Sequence, residues 1–132
     1  MRQIITILSF FLITFSYGQD KNARASIEVD GVCGMCKERI ETTAIKTKGV
    51  KSAVWNKDTH ELRLIYDARK TNLDTISKNI AAVGHDTKLY TASDEAYESV
   101  DDCCRYRDPQ VHADHGMEMK NCIDANVRPY SP

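Results

Sequence analysis

Cys33 and Cys36, separated by Gly34 and Met35, are the residues of this chain whose types and spacing most directly suggest chemistry. They follow an alternating apolar segment, Ile27 and Val29, and precede one with a helical period. The pair therefore belongs at a strand-to-helix turn, where both sulfurs can face one point. A helix N-terminus favours thiolate, the form of cysteine that attacks and that binds metal. Two chemistries follow: capture of a soft metal ion, or cycling through a disulfide.

A second set of donors lies late in the chain: Cys103, Cys104, His112, His115, Met117, Met119 and Cys122. Thiolate, imidazole and thioether are ligand types that copper accepts in its two oxidation states. These residues are an accessory metal site, or a polar tail in which Cys122 forms a disulfide with Cys103 or Cys104. The vicinal pair itself is a poor staple, because bonding neighbours strains the ring and closes no useful loop. Five cysteines are also an odd number for a disulfide framework. Glu28, Glu38 and Glu41 show no pairing suited to acid–base catalysis.

The elements that must position these groups can be read from periodicity. Ala25 to Asp30 alternates and predicts a strand. Cys36, Ile40 and Ala44 recur every four residues, which predicts a helix from Met35 to Lys48 with Gly49 as its C-cap. Val50 to Trp55 and His60 to Tyr66 predict a hairpin closed by the polar turn Asn56 to Thr59. Thr71 is placed to cap a second helix with Leu73, Ile76, Ile80 and Val83 inward, ended by Gly84. Thr87 to Tyr90 predicts a short fourth strand, and Trp55, Tyr66 and Tyr90 read as sheet or core residues.

The order is β-α-β-β-α-β, an α+β ferredoxin-like sandwich over residues 25–92. In that topology the first, third and fifth loops share one end of the sheet. His85, in the fifth, becomes a candidate third ligand to the Cys33–Cys36 site or a group that tunes it. His60, at the start of a strand, reads as exposed. Residues 93–132 are polar, punctuated by proline and without sustained period, which predicts a C-terminal extension rather than a second domain. The extension leaves from the end of the sheet opposite the thiols but is long enough to reach back to them.

Residues 1–18 have the pattern of a secretory signal: Arg2, an apolar run from Ile4 to Phe15, then Ser16-Tyr17-Gly18 at the cleavage position. The expected mature protein starts near Gln19, is secreted and periplasmic, and does not span the membrane. Eighteen basic residues against nineteen acidic ones give a net charge of −1, which offers no electrostatic case for nucleic acid.

The segment from Ile27 to Tyr90 resembles the heavy-metal-associated domain of copper chaperones, metal-transporting ATPase modules and periplasmic mercury-binding proteins. The resemblance is carried by Gly31, Cys33-x-x-Cys36, Ile40-Glu41, Gly49-Val50, Thr59, Leu62-x-Leu64-x-Tyr66-Asp67, Ile76, Ile80 and Gly84-His85. The family's methionine before the first thiol is absent; Gly31-Val32 leads directly to Cys33, and a methionine sits inside the motif as Met35. The resemblance implies a non-catalytic protein that captures or passes on copper(I), with mercury(II) or zinc(II) as other ions. It also implies a metal-transporting membrane protein or another metallochaperone as partner. The thiols are then expected in an exposed surface loop. A thiol–disulfide oxidoreductase is the competing reading. The element order is not that of thioredoxin, and Pro109, Pro129 and Pro132 all fall in the tail, away from any place beside the thiols.

Overall fold

A computed structural model describes residues 20–116. The expected signal at 1–18, together with Met117, Met119 and Cys122, lies outside the described residues.

Three antiparallel strands form the sheet: β1 (Ala23–Glu28), β2 (Val50–Trp55) and β3 (Glu61–Tyr66), in the order β1-β3-β2. The register sets Ile27 and Trp55 beside Leu62, and Ala25 and Ala53 beside Leu64. Alternation then sends this set to one face, where α1 (Gly34–Lys46) and α2 (Leu73–Ala82) cover it. The four-residue recurrence of Cys36, Ile40 and Ala44 is the buried face of α1, and Ile76 and Ile80 are that of α2. Glu41 fastens α1 to the end of β2 by accepting the Trp55 N–H at 2.8 Å.

Several boundaries differ from the sequence reading. Asn72, not Thr71, caps α2, its side chain accepting the Thr75 N–H at 2.8 Å. Thr71 is instead buried, packed against Gly49, whose φ of +102° turns the chain out of α1. His60 closes the hairpin turn at φ +56°, so β3 starts one residue later. His60 is half-buried, lying by Trp55 with ring centroids 6.1 Å apart. The predicted fourth strand, Thr87 to Tyr90, is reduced to a single bridge between Val29 and Thr87. Thr87 turns back on itself there: its N–H donates to Tyr90 O and its Oγ1 accepts the Tyr90 N–H. The turn points Leu89 into solvent, which leaves a four-residue run no apolar face to bury.

The described part of the extension packs on the domain. It comprises α3 (Asp94–Glu98), a 3-10 turn at Asp102–Cys104 and α4 (Pro109–Gly116). Val100, Cys104 and Tyr106 belong to the same core cluster as Ile40 and Trp55. Residues 93–107 thus form a strap across the loop end of the sandwich. Gly84 seats it: a Cβ built there would stand 2.6 Å from both Ala96 O and Val100 Cγ1.

Candidate metal centre

Cys33 is the N-cap of α1. Its extended backbone lets its sulfur accept the Cys36 N–H at 3.3 Å, which satisfies one of the donors left open at a helix start. Below the loop, Trp55 supplies the floor. Its Nε1 donates to Val29 O at 3.0 Å, and its ring passes so close to Gly31 that an added Cβ would lie 3.1 Å from it. The Cys33-Gly34-Met35-Cys36 turn is therefore held from beneath by an aromatic platform and from behind by a helix.

The expected exposed loop is not what forms. Cys33 is 2% exposed and Cys36 is fully buried, because the strap covers them. The strap brings its own sulfur: Cys33 Sγ lies 3.2 Å from Cys36 Sγ and 3.1 Å from Cys104 Sγ. Cys103 Sγ is 4.0 Å from Cys104 Sγ and 3.7 Å from Met35 Sδ. The sulfurs of Cys33, Cys103 and Cys104 all lie within 4.8 Å of one another. Four thiols and a thioether, drawn from two segments of the chain, converge on one place.

Hydrogen bonds divide the protons among them. Those from Cys104 and Cys36 hold the Cys33 thiol well below its usual range, so Cys33 carries the negative charge. Cys104 is pushed up by its bonds to Cys33 and Cys36 and by burial. The Cys104 contact lowers Cys36, but bonding to Cys33 together with burial outweighs it, and Cys36 is also raised. One thiolate is shared between two thiol donors in a closed pocket.

His85 does not join the sulfurs. It is fully buried; its Nδ1 pairs with Asp30 O at 2.9 Å, and among the described residues its Nε2 has no hydrogen-bond partner. Burial pushes its imidazole below the usual value, so it stays neutral. Its ring stacks on Tyr106 with centroids 5.6 Å apart. His115 reaches the rim of the cluster, its Nε2 lying 2.8 Å from Cys103 O. His112 is exposed on α4 and is not brought to the sulfurs.

Sequence reasoning missed the residues that fasten the strap. Tyr106 Oη donates to Gly84 O at 3.0 Å and accepts the Asp86 N–H at 2.8 Å. Arg107 Nε and Nη2 grip the Asp86 carboxylate at 3.0 and 2.7 Å, while its guanidinium lies 4.4 Å from the centroid of Tyr97. Arg39 on α1 donates to Asp101 at 2.9 Å. The available signal was apolar Tyr97, Val100 and Tyr106 flanking the vicinal cysteines in an otherwise polar stretch.

Residues 26–86 match the heavy-metal-associated domain. Copper-exporting P-type ATPases of Staphylococcus haemolyticus and Staphylococcus saprophyticus are 33% and 32% identical over 66 and 68 residues. Those matches cover 49% and 51% of this chain but only 8% and 9% of the ATPases, so the chain spans a small fraction of the length of the curated relatives it matches. Among solved structures, a CopZ metallochaperone is 27% identical at TM-score 0.48, covering 49% of this chain and 98% of its own. Oxidized MerP from Ralstonia metallidurans CH34 is 20% identical at TM-score 0.49, covering 51% and 94%. With Cys33 capping α1, Cys36 one turn inside it and the matched pattern running to Asp86, residues 26–86 of this chain are a heavy-metal-associated domain.

Proposed function

We propose that this protein binds a soft metal ion, copper(I) foremost, through Cys33 and Cys36, and hands it on or holds it without catalysing a reaction. The observation that carries the reading is the sulfur cluster at the first loop, where a cysteine thiolate caps a helix and a second cysteine lies 3.2 Å away. Thiolates select thiophilic d10 ions, and copper(I) accepts the low coordination numbers a few sulfurs can offer. Mercury(II) shares that preference; zinc(II) would need four ligands. The copper-exporting relatives support copper as the cargo and a membrane exporter or another chaperone as the partner. Among the described residues no helix is long and apolar enough to cross a membrane. The N-terminal pattern supports export and a periplasmic location.

Anaerobic titration of the reduced protein with copper(I), zinc(II) and mercury(II), read by competition against chelators, tests this. Tight uptake of copper(I) that is lost in the Cys33→Ser/Cys36→Ser double variant is expected. Unchanged uptake by that variant overturns the assignment. Catalysed insulin reduction would instead favour a thiol–disulfide oxidoreductase.

A further inference from the structure

We propose that the C-terminal strap donates Cys104 as a third sulfur ligand to the ion held by Cys33 and Cys36, so that the chain closes its own metal site. The inference rests on the reading that Cys33 and Cys36 are the primary ligands.

Geometry is the first support. With metal–sulfur bonds of about 2.3 Å, an ion bound linearly needs two sulfurs about 4.6 Å apart, whereas a trigonal ion needs its three about 4.0 Å apart. Cys33 stands 3.2 Å from Cys36 and 3.1 Å from Cys104. A trigonal ion asks the Cys33–Cys36 contact to open by less than a linear ion does, and the Cys33–Cys104 contact to open by a similar small amount. The linear arrangement would also drive Cys33 and Cys36 apart inside a pocket whose floor is Trp55 and whose roof is the strap.

The second support is what surrounds Cys104. A buried cysteine usually serves as a small apolar filler among carbon neighbours. Cys104 is fully buried, yet its sulfur rests on the sulfur of Cys33, seventy-one residues away in the chain. Arg39–Asp101, Tyr106–Gly84 and Arg107–Asp86 all act to place it there. Ordering such a segment costs backbone entropy at every residue, and these bonds and the burial of Val100 and Tyr106 offset it.

A third ligand in the same chain changes what the site does. Tethering gives it an effective concentration of millimolar order or more, so external thiols compete poorly for the open coordination position. Release then requires the strap to lift, and the unlatched form is the one that can pass the ion to a partner. Cys103, beside Met35 at the half-exposed rim, is the next sulfur an outgoing ion would meet.

The experiment uses the full chain with Cys122→Ser, loaded anaerobically with one equivalent of copper(I). X-ray absorption should count three sulfur neighbours. In Cys104→Ser the count should fall to two, and copper(I) retention against a chelator should weaken about 100-fold; in Cys103→Ser the count should stay at three. Arg107→Ala, which leaves every sulfur in place, should keep three neighbours but release copper(I) to an external dithiol about tenfold faster. Two neighbours in the parent protein, or a Cys104→Ser protein with unchanged count and retention, overturns the proposal while leaving the Cys33–Cys36 assignment intact. If Cys33→Ser/Cys36→Ser retains the ion as tightly as the parent, the underlying reading fails instead.

Discussion

Cys33 Sγ and Cys104 Sγ lie 3.1 Å apart, and the bond between them leaves the charge on Cys33 and the proton on Cys104. The proton inventory of the three thiols follows. Cys33 is ionised at neutral pH; Cys36 and Cys104 are not.

Copper(I) uptake near neutral pH should therefore release about two protons if all three sulfurs bind, and about one if only Cys33 and Cys36 do. Affinity should rise with pH by about tenfold per unit for each thiol that must deprotonate. Calorimetry in buffers of different ionisation enthalpy counts the protons directly.

Gly84→Ala should lift the strap. Its φ of +94° is unfavourable for any residue with a Cβ, and that Cβ would meet the Ala96 carbonyl at 2.6 Å. A loss of about 1–3 kcal/mol in urea unfolding is expected, with faster alkylation of Cys104 in the native protein.

Tyr106→Phe keeps the ring against His85 but removes the hydroxyl. The Gly84 carbonyl then loses its donor and the Asp86 N–H its acceptor. The expected cost is about 1–3 kcal/mol. Hydrogen exchange at the Asp86 amide should accelerate more than exchange within the sheet.

Acid should unlatch the strap. Burial alone would raise the Asp86 carboxyl, but the Arg107 guanidinium and the Ala92 N–H outweigh it and hold it below the ordinary range. A depressed carboxyl stabilises the fold above its unfolded pKa of about 4, and that contribution disappears as pH falls through the folded value. Reaction of Cys104 with a pyridyl disulfide should be slow from pH 8 to about 5 and speed up below about 4. In Asp86→Asn the acid-induced rise should be absent.

What the sequence made legible was everything with a period. Cys36, Ile40 and Ala44 announced α1; Leu62 and Leu64 announced β3; the C-x-x-C spacing announced the loop they flank. The fourth strand misled because Thr87 and Tyr90 have strand-favouring side chains, while local hydroxyl bonding won over so short a run. The strap escaped because its contacts are set by single residues at irregular intervals. Val100 and Cys104 are four apart and Cys104 and Tyr106 two apart, so no single period runs through the three, and Arg107 finds Asp86 only once the chain has already folded back. The burial of the thiols was hidden with it, since the cover lies seventy residues downstream of what it covers.

Covering a low-pKa cysteine has a chemical consequence of its own. Thiolates are the sulfurs that peroxides convert to sulfenic acid. Cys33 has the charge that invites this attack but only 2% of its surface open to receive it. Among the described residues, the half-exposed sulfur side chains are Cys103 and Met35, which touch. Damage should begin on that pair, where a methionine sulfoxide can be repaired, before it reaches the atom the pocket was built around.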